Sequence, residues 1–120
     1  MFINAFVLAV PEANKDEYIR ISKSFAKLAI EYGALEVCEN WEFEIPDGEH
    51  TDYRKAVKAK PGEKIVFSWI VWPDRETFTK VHKNMFADPR MAEMGEMPFD
   101  GKRMIFGDFE TIVSYRKDSK

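Results

Sequence analysis

The sequence predicts an α+β fold: a four-stranded antiparallel sheet with two main helices on one face. Three observations predict it. Ile65–Trp72 carries no charge, is rich in β-branched and aromatic side chains, and is closed by Pro73. That run is too short for a core helix and fits a central strand. Asn14–Gly33 changes to helical spacing, with Tyr18, Ile21, Phe25, Leu28 and Tyr32 on one stripe. Three further runs, Phe2–Val10, Ala34–Ile45 and Lys102–Val113, return to alternation.

In chain order, Phe2–Val10 sets Ile3, Ala5 and Val7 against Phe2, Phe6 and Leu8, and Pro11 ends it. Asn14, with Glu17 three residues on, reads as the N-cap of the first helix, and Gly33 as its stop. Ala34–Ile45 places Leu35, Val37, Trp41, Phe43 and Ile45 opposite Glu36, Cys38, Asn40, Glu42 and Glu44. One wet face suits a sheet edge, and Glu39, which interrupts the apolar series, predicts a bulge or an exposed end there. Pro46-Asp47-Gly48 and Pro61-Gly62 are turns. Between Glu36 and Asp52 stand seven acidic residues and no Lys or Arg, whereas Tyr53–Lys64 is mostly basic. Such segregation predicts solvated faces that pair with each other. After the central strand, Asp74 caps a second helix through Phe78, Val81 and Met85, ending near Asp88-Pro89. Arg90–Met97 adds one or two helical turns, and Pro98–Gly101 connects to the last strand, where Gly107 predicts a bulge or a close approach. The tail from Arg116 is expected to fray. The order βαββαβ is that of a ferredoxin-like sandwich.

The chain has 120 residues, which predicts one domain over residues 1–120. It is 45% hydrophobic and 32% charged, with a net charge of −3, so no basic excess argues for a nucleic-acid partner. Cys38 is the only cysteine, which leaves no disulfide framework and no thiolate metal cluster. No apolar run approaches membrane-spanning length and the amino terminus lacks a basic leader, so a cytoplasmic protein is expected.

Two helices cover only one face of a four-stranded sheet, yet the first and third strands are apolar on both. Leaving the second face in water forgoes roughly 1.5–3 kcal/mol per large side chain, and such patches drive association. The expected partner is a second copy related by a two-fold axis, meeting the helix-free face.

The same order of elements, with AVKAKPGEKIVFSWIVWP (Ala56–Pro73), DPRMAEM (Asp88–Met94) and MPFDGKRMIFGDF (Met97–Phe109), resembles the YbaA-like family. These are small bacterial proteins of unknown function, grouped with the dimeric α+β barrels, and the resemblance runs from Phe2 to about Val113. This chain departs from the family pattern at Arg54-Lys55, where Pro-Arg is expected, and at Asp108, where a second Gly is expected. The resemblance implies a homodimer with two sheets face to face. It brings no reaction, since barrel relatives span cofactor-independent monooxygenases, haem proteins, isomerases and stress-response proteins.

The sequence holds no Gly-rich phosphate loop, no His-x-x-x-His and no serine elbow. His50 and His82 sit on different elements, so neither a metal nor another cofactor is expected. The candidate ligand-binding residues are Trp69, His82, Arg90, Met94, Phe99, Asp100, Lys102 and Arg103. Methionines and Phe99 offer adaptable apolar walls, and the charges beside them would orient a small polar group. The expected function is binding of a small apolar or aromatic molecule between sheet and helices. A cofactor-independent monooxygenase or isomerase, and a non-catalytic dimeric interaction or stress-related module, are the alternatives.

Overall fold

In the computed structural model, residues 1–117 are described. The strands are β1 (Phe2–Pro11), β2 (Glu36–Trp41), β3 (Glu63–Trp72) and β4 (Ile105–Glu110). The helices are α1 (Lys15–Glu31), α2 (Tyr53–Ala56), α3 (Arg75–Phe86) and α4 (Pro89–Glu93). The strands form one antiparallel sheet in the order β2-β3-β1-β4, the ferredoxin-like arrangement the sequence predicts.

The period-2 pleat sorts side chains cleanly. On β3, Val66, Ser68, Ile70 and Trp72 are all buried against the helix layer, together with Leu8 and Val10 of β1. From the helices come Tyr18, Ile21 and Leu28 of α1 and Met85 of α3. Trp72, Leu28 and Met85 are fully enclosed, so core side chains fill the layer between sheet and helices. Trp72 is also tied by hydrogen bonds. Its Nε1 donates to Asn4 Oδ1 at 2.7 Å, and the Asn4 amide donates to Asp108 at 2.8 Å. This partnering lets Asn4 lie buried on β1.

Capping chemistry bounds the helices. Asp74 accepts from the Thr77 N–H and Asp88 from the Arg90 N–H. Gly33 adopts φ +113°, the left-handed stop that α1 needs. Asn14 occupies the N-cap position of α1 but makes no side-chain capping bond. Residues Glu12–Asn14 form a short 3₁₀ turn, and the Asn14 amide donates to the Pro98 carbonyl instead.

Several strand details also differ from expectation. Glu39 makes no bulge: it stays in register opposite Ser68, and its carboxylate accepts from the Tyr18 hydroxyl at 2.5 Å. A polar residue inside an apolar series is accommodated here by a partner rather than by a break in pairing. Gly107 likewise stays in register, opposite Ala5, and a Cβ there would stand 3.4 Å from the Phe109 ring. That is an ordinary contact with a side chain, so Gly107 marks neither a bulge nor a close backbone approach. Strand β2 stops at Trp41, leaving Phe43 97% exposed. The Glu42 carboxylate accepts from the Ile65 N–H, the donor that further pairing would have used. Strand β4 is shorter than predicted, because Gly101–Arg103 curls into a 3₁₀ turn capped by Asp100. The expectation for the tail falls partly outside the described residues; within them, Arg116 lies 3.6 Å from Glu36.

Candidate functional site

Residues that alternate with the core positions point away from the helices and build a second surface. The strand register lays them out in rows running from β2 to β4. Glu36, Val71, Ile3 and Phe109 form one row, and Cys38, Trp69, Ala5 and Gly107 the next. Asn40, Phe67, Val7 and Ile105 form the third. The surface is apolar across β3, β1 and β4 and polar only along β2. Phe67, Ile105 and Phe109 are 40%, 44% and 57% exposed, far more than core side chains of this size.

One end of this face is covered. After β2 the chain turns under the sheet, and Val57, Ala59 and Ile45 pack on Ala9, Ile65 and Val7. Ion pairs fasten this flap, residues 42–60. Arg54 binds the Glu42 carboxylate and donates to the Glu63 carbonyl at 3.2 Å. Arg103 grips both oxygens of Glu63, at 2.8 and 2.6 Å, and donates to the Lys58 carbonyl at 2.9 Å. The acidic and basic runs of the sequence thus meet across the flap, as their segregation predicts. Arg103 holds the Glu63 carboxyl below its ordinary range, and the backbone N–H groups of Lys55 and Gly48 do the same for Asp52.

Beside the flap stands a row of aromatic rings. Tyr53 of α2 lies 6.3 Å from Phe67, and Phe67 meets Trp69 edge-on at 5.7 Å. The Trp69 Nε1 donates to Glu36 at 2.7 Å, which fixes the indole on the sheet. Two grooves flank Tyr53. One, of about 190 Å³, runs between Phe43, Ile45, Phe67 and Asn40. The other, of about 310 Å³, lies over Val7 and Ile105, with Thr51, Asp52 and Ala56 as its wall. Among the described residues, no lysine or arginine lines either groove. Cys38 is half-buried on the same face, and burial, then the neighbouring Glu36, pushes its thiol up.

The eight residues singled out in the sequence do not all converge on one place, although Arg90 and Met94 line one pocket of about 350 Å³ with Arg20, Lys27 and Glu31. Trp69 stands on the helix-free face, and Arg103 reaches its border through Lys58. Phe99 packs edge-on against Tyr18, and Asp100 pairs with Arg103 beside the exposed Lys102. Met94 is buried in the core with Ile21 and Leu28. Arg90 pairs with Asp88 and Glu31 at the far end of α1, where Tyr32 also donates to Asp88 at 2.8 Å. These contacts hold the Asp88 carboxyl well below the usual carboxylate range. His82 stacks on Phe78, its Nδ1 3.2 Å from the Thr79 carbonyl. Among the described residues, no three His, Cys, Asp or Glu side chains are grouped to hold a metal ion. Sequence reasoning missed Tyr53 as a site residue. Its signal was Asp52, a capping residue ahead of a helical turn inside what reads as a charged loop.

The comparisons agree with this architecture. Residues 1–101 match the family described as Protein of unknown function (DUF1428). The Escherichia coli K12 "Uncharacterized protein YbaA" is 49% identical over 113 residues, covering 93% of this chain and 97% of the relative. The Shigella flexneri protein of the same name matches to the same extent. Among solved structures, the Arabidopsis thaliana protein At3g17210 superposes with a TM-score of 0.57 at 14% identity. That match covers 96% of this chain and all of the other, and it speaks for the fold alone. A family match over most of the chain and a relative identical at half its positions give one conclusion: this protein is a member of the DUF1428 family, alongside YbaA.

Proposed function

We propose that two copies of this chain meet through their helix-free sheet faces, forming a dimeric α+β barrel that holds a small apolar or aromatic molecule beside the flap. The supporting observation is the exposed row of Phe67, Ile105 and Phe109, on a sheet whose other face is already filled by its own helices. Covering the exposed part of each such ring or aliphatic side chain stabilises by on the order of 1 kcal/mol. A ligand is assigned to this face, not to the sheet–helix layer, because Trp72, Leu28 and Met85 fill that layer. Of the sequence-predicted residues, Trp69 contributes to it directly and Arg103 through the flap; the barrel interior carries neither metal nor nucleic acid in this reading. The single cysteine, unpaired in the described residues, suits a cytoplasmic setting. No helix among those residues is long and apolar enough to cross a membrane.

Light scattering after gel filtration tests the pairing. The expected mass is twice that of the chain, and Phe109→Glu, which puts a charge on the contact face of an edge strand, yields the chain mass with an unchanged circular dichroism spectrum. A wild-type monomer at micromolar concentration sinks the proposal. Native mass spectrometry of freshly purified protein then reads whether the dimer carries additional mass.

A further inference from the structure

We propose that the segment after β4 in each copy, residues 111–115, seals the groove between Phe43 and Phe67 of its partner, so that each subunit completes the other's ligand site. This rests on the barrel reading above and names which surfaces meet. Three observations carry it. Beyond β4 the chain crosses the end of the sheet away from the flap. There the Thr111 N–H donates to the Met1 carbonyl at 2.9 Å, and Arg116 lies 3.6 Å from Glu36 of β2. Along this crossing Ile112, Val113 and Tyr115 are 91%, 70% and 94% exposed, so their own subunit leaves them uncovered. At the flap end Phe43 and Tyr53 are also exposed, beside the groove of about 190 Å³ that runs to Phe67.

The direction of the two-fold axis decides which of these surfaces face each other. Packed sheets lie about 10 Å apart, and the flap adds a layer of chain at one end only. An axis along the strands stacks flap on flap and splays the opposite ends, which leaves Ile3, Val71 and Phe109 in water. An axis across the strands sets each flap against the partner's crossing segment. The two sheets then stay evenly spaced, and the apolar side chains of both ends are buried together. Ile112, Val113, Tyr115, Phe43, Tyr53 and Phe67 expose on the order of 900 Å² per subunit, comparable with the roughly 800 Å² per partner of a standard interface. With the outer groove sealed, the groove of about 310 Å³ over Val7 and Ile105 is the enclosed space left for a ligand.

Site-directed cross-linking tests this pairing of surfaces. Cys38→Ser first removes the only native thiol. Phe43→Cys and Tyr115→Cys are then made singly and together, at positions whose exposure spares the fold. Each protein is treated with a short bismaleimide and run on a denaturing gel. The double variant is expected at twice the chain mass, and both single variants at the chain mass. Cross-linked dimer in Tyr115→Cys alone means that segment meets segment, and in Phe43→Cys alone that flap meets flap; either overturns the inference. A double variant that stays at the chain mass, although light scattering shows it to be a dimer before treatment, also overturns it and leaves the barrel standing. A wild-type monomer by light scattering removes the barrel itself.

Discussion

Replacing Arg103 with Met is expected to destabilise the fold by about 3 kcal/mol at neutral pH. The side chains of Arg103 and Glu63 are only 15% and 8% exposed, so water cannot take the place of either partner. The substitution keeps most of the stem volume and removes two bonds to the Glu63 carboxylate, one to the Lys58 carbonyl and one to the exposed Asp100. What is left for Glu63 is the Lys60 N–H, at 2.6 Å. Breaking a sealed pair by deleting one partner costs roughly 3–5 kcal/mol, and the residual exposure of Arg103 puts this one near the lower limit. Urea unfolding reads the loss directly. The pH dependence supplies a second check. Arg103 holds the Glu63 carboxyl below its ordinary value of 4.5, so the pair's stabilisation is present above that value and disappears as acid protonates Glu63 in the folded state. In Arg103→Met the unpaired buried carboxylate favours its neutral form, so the gap between the two proteins should narrow from about pH 7 to about pH 4. A loss under about 1 kcal/mol, or a gap unchanged across that range, refutes the reasoning.

Four further outcomes are expected. Trp72→Phe removes the donor to buried Asn4 and opens a cavity in the fully enclosed core, a cost of about 2–4 kcal/mol by chemical denaturation. Lys58 sits at φ +52°, so Lys58→Gly, which retains the carbonyl that Arg103 uses, should raise stability by about 0.5–1 kcal/mol. Asp74→Ala deprives α3 of the cap that binds both the N–H and the hydroxyl of Thr77, and thermal melts should show a loss of about 1 kcal/mol. Burial pushes the Glu39 carboxyl up, so the wild type loses stability as pH rises through that value. Glu39→Gln still accepts from Tyr18, and its melting temperature should exceed that of the wild type at neutral pH and fall to parity in acid.

The sheet was legible because its signals are local. Eight uncharged residues ending at Pro73 announce β3, and the stripe from Tyr18 to Tyr32 announces α1. The apolar character of both faces of β1 and β3 was equally plain, which is why the helix-free surface was foreseen. What sequence spacing could not convey is which charge meets which. Glu63 and Arg103 lie forty residues apart and join only because the start of β3 and the turn before β4 lie at the same corner. Alternation puts Trp69 and Trp72 on opposite faces of β3 without fixing which face is free of helices. The proposed cluster around Arg90 and Asp100 failed to assemble for a geometric reason. The two groups are anchored near opposite ends of α1, one through Glu31 and Tyr32, the other through Phe99 against Tyr18. Tyr53 escaped notice because a helix of four residues leaves no periodicity to detect.

The strand order has a consequence for synthesis on the ribosome. β1 is made before the other three strands, yet both its neighbours are distant: Phe2 pairs with Trp72 on one side and Glu110 on the other. At ordinary translation rates roughly 4–14 s separate the making of Phe2 from that of Trp72. Throughout that interval a nascent strand as apolar as FINAFVLAV has no native partner along either edge, and α1 alone is available to shield it. The pairing with β4 comes later still, since its residues follow Trp72 by more than thirty positions. Such long-range closure slows folding and exposes the intermediate to aggregation, so the soluble yield of this protein should depend on expression temperature and on holdase chaperones more than its modest size suggests.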